Sequence, residues 1–79
     1  MRTLYVGGLP PETDSSALRE LFATFGELAA ARVVMRPSTG HCRGFGYVTF
    51  VTREAAKRAR VALDGSLLGG GTLRVADAG

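Results

Sequence analysis

The sequence is poor in the residues from which most catalytic and metal sites are built. It has one cysteine, Cys42, and one histidine, His41, and it contains neither tryptophan nor asparagine. A single cysteine allows no intramolecular disulfide and no cysteine-based zinc site, which suits a reduced, intracellular setting. A lone histidine argues against a multi-histidine metal site and against a serine–histidine–aspartate triad. We therefore expect no metal, no cofactor and no enzymatic activity.

Long apolar stretches are also absent. No segment approaches the roughly 20 apolar residues that span a bilayer, and the apolar run within Met1–Gly8 is too short for a signal peptide. The expected location is therefore the cytoplasm, or the nucleus in a eukaryote, with no membrane partner. Residues 1–79 are expected to form a single domain, which excludes large enzyme folds such as the eight-stranded α/β barrel.

Arginine is the residue in surplus. Ten basic residues against seven acidic ones give a net charge of +3, and every basic residue except Lys57 is arginine. Guanidinium groups bind phosphate and stack on bases better than ammonium groups do, so this surplus permits an anionic partner. A coding bias towards arginine and alanine would produce the same composition, so charge alone does not decide the function.

The hydrophobic pattern predicts four strands and two helices. Asp14 is a suitable N-cap for a helix with apolar residues at i, i+3, i+4 and i+7 that reaches Phe25 and ends at Gly26, and Thr52 can cap a second helix that reaches about residue 63. Stretches rich in β-formers predict strands at residues 2–7, 28–35, 42–51 and 72–76. The order β-α-β-β-α-β predicts an α+β, ferredoxin-like sandwich, in which both helices cover one face of a four-stranded antiparallel sheet.

The uncovered face of this sheet is expected to carry the functional residues. Side chains alternate along a strand, and Leu4, Val6, Val48 and Phe50 are natural core residues. The same alternation places Gly44 and Gly46 inward, beneath the helices. The outward residues are then Thr3, Tyr5, Gly7, Arg43, Phe45, Tyr47 and Thr49. Three exposed aromatic rings can stack unpaired bases, at about 1–3 kcal/mol for each base.

Arginines surround these rings in the predicted sheet. If Val33 faces inward on the second strand and Val75 on the last, then Arg32, Arg74 and Ala76 face outward. With Arg43, three arginines and three aromatic rings form the composition of a platform for single-stranded nucleic acid. The alternative is a cross-strand aromatic patch that is covered by a tail or by a second subunit.

Two segments resemble the signatures of the RNA recognition motif family. Residues 43–50, Arg-Gly-Phe-Gly-Tyr-Val-Thr-Phe, match the long signature at every position, and residues 4–9, Leu-Tyr-Val-Gly-Gly-Leu, are similar to the short one. The resemblance covers essentially the whole chain and implies binding of single-stranded RNA, or of single-stranded DNA, on the open sheet face. It implies that Tyr5 and Tyr47 each stack a base. It also implies that Phe45 lies against a ribose and that Arg43 pairs with a phosphate.

The sequence departs from the family pattern at two positions. Gly8 stands where the family usually has asparagine, a residue that helps to shape the first loop. Arg60 stands where the family usually has an apolar residue on the second helix. We expect the stem of Arg60 to lie along the edge of the core with its charge in water, although a fully solvated helix charge is an equal alternative.

The remaining candidate RNA contacts lie at the margins of the platform. They are Thr3, Arg32, Arg36, His41, Arg74 and Ala76. Arg36 and His41 belong to the loop between the second and third strands, which often touches RNA in the family, although an ordinary loop residue is the favoured interpretation of each. Cys42 is expected to be a small packing residue. We expect a monomer that binds no small-molecule substrate.

Two other functions share this predicted fold. Protein-binding variants of the family typically lose the sheet aromatics and carry an Arg-x-Phe motif before the last strand, which Ser66–Thr72 does not contain. Acylphosphatases need an arginine in the loop after the first strand and an asparagine, and this sequence has neither. The protein-binding module therefore remains the alternative to RNA binding, and the enzyme is disfavoured.

Overall fold

The computed structural model describes residues 1–78, which form six strands and two helices. The elements are β1 (Arg2–Gly7), α1 (Ser15–Ala23), β2 (Leu28–Met35), β3 (Cys42–Phe50), α2 (Arg53–Leu63), β4 (Leu67–Leu68), β5 (Gly71–Thr72) and β6 (Arg74–Asp77). The antiparallel main sheet has the order β2-β3-β1-β6, and β4 and β5 form a separate hairpin. The main sheet and the helices follow the order β-α-β-β-α-β, which confirms the predicted ferredoxin-like fold.

The hydrophobic core lies between the two helices and one face of the main sheet. Val6 on β1 and Val48 and Phe50 on β3 are fully buried. Phe22 of α1 packs against Phe50, with 6.3 Å between the ring centroids. The buried residues of α2 are all small, namely Ala55, Ala56 and Ala59. Because side chains alternate along a strand, this packing leaves the neighbouring residues of β1 and β3 on the opposite, open face.

Both helices begin where the sequence predicts. The Asp14 carboxylate accepts the N–H of Ala17 at 2.8 Å, and the Thr52 hydroxyl accepts the N–H of Ala55 at 3.2 Å. Each cap satisfies an N–H of the first turn that has no partner within the helix. Within residues 1–78, neither helix is long and apolar enough to cross a bilayer.

Two elements end earlier than predicted. Helix α1 stops at Ala23 rather than at Phe25. The N–H of Phe25 donates to the carbonyl of Phe22 at 3.1 Å, a tightened turn that still lets the Phe25 ring pack against the core. The apolar spacing therefore identified a true core residue but not the end of the helix. Strand β3 ends at Phe50, one residue before the predicted end.

The prediction of one last strand over residues 72–76 is wrong in its boundaries. Thr72 pairs with Leu67 in the β4–β5 hairpin, and β6 runs from Arg74 to Asp77 in the main sheet. Leu73 lies between the two strands and is buried, with its N–H donated to the carbonyl of Ser66 at 2.7 Å. The glycine-rich stretch before the last strand thus forms a small hairpin of its own.

The prediction that Gly44 lies beneath the helices is not confirmed, because a Cβ added there would meet only the carbonyl oxygen of Leu9, at 3.9 Å. Between the pairs Val33–Gly46 and Met35–Cys42, β3 has two more residues than β2, so the regular alternation is interrupted by a bulge. Gly44 sits in this bulge with φ +97°, and its carbonyl accepts the N–H of Leu9 at 2.9 Å. Gly46 does face inward as predicted, where an added Cβ would lie 3.2 Å from a methyl carbon of Leu18 on α1.

Candidate nucleic-acid interface

Three aromatic rings lie together on the open face of the sheet. Tyr5 on β1 pairs with Tyr47 on β3, and Phe45 pairs with Gly7, so the rings occupy neighbouring positions in the two central strands. The centroid of the Tyr5 ring lies 5.9 Å from that of Phe45 at an interplanar angle of 29°. Tyr47 stands 6.1 Å from each of the other two centroids, edge-on to both. We call these three residues the aromatic platform; all three are half-buried and retain ring surface in contact with solvent.

The Tyr5 ring lies flat along β1 over Gly7. A Cβ added at Gly7 would lie 2.5 Å from the Tyr5 hydroxyl oxygen and 2.9 Å from its Cε2 atom. Gly7 is buried although it faces outward, as the alternation predicts, because the ring covers it. Since Gly7 pairs with Phe45 on one side and with Arg74 on the other, the tip of the Tyr5 ring lies between β3 and β6.

Arg32 lies beside the platform on β2. It pairs with Tyr47, and its guanidinium carbon stands 5.6 Å from the centroid of the Tyr47 ring. This distance is within the range of a cation–π interaction. Arg32 is exposed, so the outward direction predicted from the sequence is correct, whereas its contact with Tyr47 was not predicted. The pairing of β2 with β3 brings a cation next to an aromatic surface on which a base could stack.

Two shallow depressions flank the platform. The one on the β2 side has a volume of about 510 Å³ and is lined by Thr3, Arg32, Tyr47, Thr49 and Ala78. The hydroxyls of Thr3 and Thr49 share a hydrogen bond of 2.8 Å across β1 and β3, which fixes its floor. The one on the β6 side has a volume of about 370 Å³ and is lined by Tyr5, Asp64, Arg74, Val75 and Ala76. Four of the predicted contact residues, Thr3, Arg32, Arg74 and Ala76, therefore border the aromatic rings.

Asp64 is the lining residue that the sequence analysis missed. Its Oδ1 atom accepts the N–H of Val75 at 3.0 Å, which ties the end of α2 to β6. In the sequence, Asp64 and Gly65 directly follow the predicted second helix, and nothing there indicates that this carboxylate lies beside the rings. The β6-side depression therefore holds a hydrogen-bond acceptor, the Asp64 carboxylate, together with the cationic donor Arg74.

The other predicted contacts lie away from the centre of the platform. Arg36 and His41 are exposed in the loop between β2 and β3, where the N–H of Arg36 donates to the carbonyl of His41 at 2.8 Å. Arg43 is exposed within the same bulge of β3 that contains Gly44. The structure therefore brings Arg32 and Arg74 to the rings directly, while Arg36, His41 and Arg43 lie towards one end of the sheet.

The two departures from the family pattern have clear structural settings. Gly8 adopts φ +78°, and an added Cβ would collide with the carbonyl oxygen of Thr72, so the first loop packs closely against β5. Arg60 is half-buried, in keeping with a stem that follows the edge of the core. Cys42 is buried, as expected for a packing residue, and its Sγ atom accepts the N–H of Gly44 at 3.1 Å inside the bulge.

Metal chemistry has no visible basis in the part of the chain that the structure describes. Residues 1–78 contain no group of three or more histidine, cysteine, aspartate or glutamate side chains placed to hold a metal ion. The groups beside the platform are guanidinium groups, hydroxyls and the carboxylate of Asp64.

Comparison with known proteins agrees with this geometry. The sequence profile of the RNA recognition motif matches residues 4–74. "Small RNA binding protein 1" of Cucumis sativus is 42% identical over 74 residues, which cover 94% of this chain and 46% of that protein. "Glycine-rich RNA-binding protein 3, mitochondrial" of Arabidopsis thaliana is 44% identical over 72 residues, which cover 91% of this chain and 23% of that protein. The chain thus spans less than half of either relative.

A solved structure shows the same fold at a useful level of identity. The second RRM domain of the yeast poly(U)-binding protein Pub1 superimposes with a TM-score of 0.88 at 32% identity, and the match covers all of this chain and 95% of that one. The profile match, the relatives and the shared architecture agree with the resemblance seen in the two signature segments. The chain belongs to the RNA recognition motif family.

Proposed function

We propose that this protein binds single-stranded RNA across the open face of its sheet. The observation that supports this most directly is the aromatic platform, in which three rings lie about 6 Å apart on the face of the sheet opposite the helices. A cluster of large apolar side chains with solvent-accessible surface commonly marks a binding site. The relatives named above carry RNA binding in their names, which supports the same class of ligand.

Each ring of the platform has a separate proposed role. Tyr5 and Tyr47 each stack one base, and Phe45, which stands edge-on to Tyr47, lies against a ribose. A base that stacks on Tyr47 takes the place of the Arg32 guanidinium, which then moves to a phosphate or stacks on the base.

The arginines have the proposed role of neutralising the backbone of the bound strand. Arg32, Arg43 and Arg74 are all exposed on the strands that carry or flank the rings. The marginal contacts are proposed for Thr3, Arg36, His41 and Ala76. Because phosphates and stacking do not distinguish bases, base preference would come from edge contacts in the flanking depressions, where Asp64 offers an acceptor.

The platform favours RNA binding over a protein-binding module of the same fold. All three rings are present on the open face, and a protein partner of the type considered above would use an Arg-x-Phe motif that is absent before β6. Single-stranded DNA has the same bases and phosphates, so it is a second candidate ligand for the same surface. A non-enzymatic role is part of this proposal.

Location and assembly state remain predictions. A cytoplasmic monomer is the expectation from the sequence. Some relatives are named as mitochondrial or chloroplastic proteins, which makes an organelle the alternative compartment. Residues 1–79 are proposed to act as one RNA-binding domain.

Substitution of Tyr47 tests the proposed function. Tyr47→Ala removes a stacking ring but no core contact, so we expect affinity for single-stranded RNA to fall about 5- to 150-fold, corresponding to about 1–3 kcal/mol. Tyr47→Phe keeps the ring and is the matched control, with affinity near that of the unmodified protein. A folded Tyr47→Ala variant that binds RNA as well as Tyr47→Phe does would rule out stacking at this position.

A further inference from the structure

A cleft on the helix side of the protein gathers four of its ten basic residues. It lies between α2 and the ends of β1 and β6 and has a volume of about 380 Å³. Its lining consists of Arg2, Arg53, Glu54, Lys57, Arg60 and Asp77. We call it the back cleft, because it lies on the opposite side of the sheet from the aromatic platform.

The alternation of side chains explains why the two strand residues reach this side. Thr3 lies on the open face, so its neighbour Arg2 lies on the helix side. Val75 is buried beneath the helices, so Asp77, two residues further along β6, lies on the same side. Arg2 pairs with Phe50, and α2 begins only three residues after Phe50, which brings the first turn of α2 to the end of β1.

The back cleft carries an excess of positive charge. Its two carboxylates, Glu54 and Asp77, face four cationic groups, so pairing within the lining leaves two positive charges for a ligand. This surplus is most of the net charge of +3 of the whole chain. Arg53 and Lys57 are exposed, so their cationic groups are accessible to a polyanion. A concave surface with an excess of one charge attracts a partner of the opposite charge and raises its local concentration.

The back cleft begins where the open face ends. Arg2 and Asp77 are chain neighbours of Thr3 and Ala78, which both line the β2-side depression. The N–H of Ala78 donates to the carbonyl of Thr3 at 2.9 Å, which holds these two chain segments together at one corner of the sheet. An RNA strand that leaves the open face at this corner would therefore pass directly over the basic residues of the back cleft.

We propose that the back cleft binds the phosphodiester backbone of an RNA strand whose bases lie on the aromatic platform. This site rests on the proposed RNA-binding function and extends it around the edge of the sheet. Its lining contains no aromatic residue, so the back cleft would bind phosphates and would not distinguish one base from another. An RNA long enough to reach both sites gains affinity and a steeper salt dependence than one that covers the sheet alone.

Charge reversal with two oligonucleotides of different length tests this site. The short probe is an oligouridine of about four nucleotides, enough for the two or three bases that the platform stacks, and the long probe is about three times that length. The test variants are Arg53→Glu and Lys57→Glu. Arg19→Glu is the matched control, because Arg19 is exposed on α1, outside the cleft, and the net charge changes equally.

We expect the two cleft variants to weaken binding of the long probe and to make its salt slope shallower by about 0.7 for each lost phosphate contact. Binding of the short probe should match that of Arg19→Glu. The proposal would be overturned if the cleft variants and the control variant behaved alike with both probes. Oligoglutamate serves as an acidic polymer that is not a nucleic acid. If the cleft variants lost oligoglutamate binding but kept the RNA salt slope of the control, the cleft would be a site for acidic protein, and the proposal would also be overturned. Tyr47→Ala distinguishes failure of the back cleft from failure of the proposed function. If this variant binds both probes as the unmodified protein does, then base stacking on the aromatic platform is refuted.

Discussion

Gly7 is expected to position the stacking ring of Tyr5, and the substitution Gly7→Ala tests this. The backbone of Gly7 is not among the glycines with positive φ, so an alanine can adopt its conformation. The new methyl group would lie 2.5 Å from the Tyr5 hydroxyl oxygen and 2.9 Å from Cε2. Carbon atoms rest about 3.5–4.0 Å apart, so the ring must move by about 1 Å or rotate away from β1.

Moving the Tyr5 ring should lower the affinity for RNA and leave the stability of the fold nearly unchanged. Alanine is favoured over glycine in a strand by about 0.5–1 kcal/mol, which offsets the loss of the contact between the Tyr5 ring and the backbone. The displaced ring loses part of the about 1–3 kcal/mol that one stacked base contributes. We expect Gly7→Ala to bind single-stranded RNA about fivefold more weakly, which corresponds to about 1 kcal/mol.

A double-mutant cycle with Tyr5→Ala isolates the proposed mechanism. In a Tyr5→Ala background there is no ring to displace, so adding Gly7→Ala should change the affinity no further. Gly71→Ala is the control for the glycine substitution, because its added Cβ would lie 3.4 Å from the nearest atom. Fluorescence titration measures the affinities, and ring chemical shifts report the Tyr5 position. An unmoved ring, or an equal loss of affinity with and without the Tyr5 ring, would refute the reasoning.

Two further outcomes follow from the structure. Gly8→Ala should lower the free energy of unfolding by about 2 kcal/mol or more, as measured by urea titration. A side chain at φ +78° is strained, and it would also collide with the Thr72 carbonyl. A variant as stable as the unmodified protein would contradict the close packing of the first loop against β5. With the short RNA probe, the plot of log affinity against log salt should have a slope of about −2, the value for roughly three phosphates. A slope near zero would show that Arg32, Arg43 and Arg74 do not contact phosphates of the bound RNA.

The sequence predicted the open face because strand alternation is strict where strands are regular. Tyr5, Phe45 and Tyr47 are all found outward, and Gly46 is found inward beneath α1. The alternation failed at Gly44, where two extra residues in β3 create a bulge. The one signal was Gly44 itself, because a glycine inside a strand often marks a bulge. The residue pattern did not separate this from close packing, which depends on which residue of β2 faces which residue of β3.

The features that the sequence did not reveal depend on contacts between distant segments. The approach of Arg32 to Tyr47 requires the register of β2 against β3, and the role of Asp64 beside the platform requires the path of β6. The short strands β4 and β5 were missed because a glycine-rich stretch has weak strand propensity, and their pairing is local. The back cleft was missed because it combines Arg2 with Asp77 from the far end of the chain.

The most direct test of the aromatic platform is a titration of the protein with one RNA oligonucleotide, first as a single strand and then annealed to its complement. Stacked bases inside an A-form helix are out of reach of the platform rings, because the deep, narrow major groove excludes side chains. We expect single-strand affinity near the micromolar range, about 8 kcal/mol, and much weaker binding of the duplex. Equal affinity for the two forms would contradict a stacking platform and would indicate attraction by charge alone.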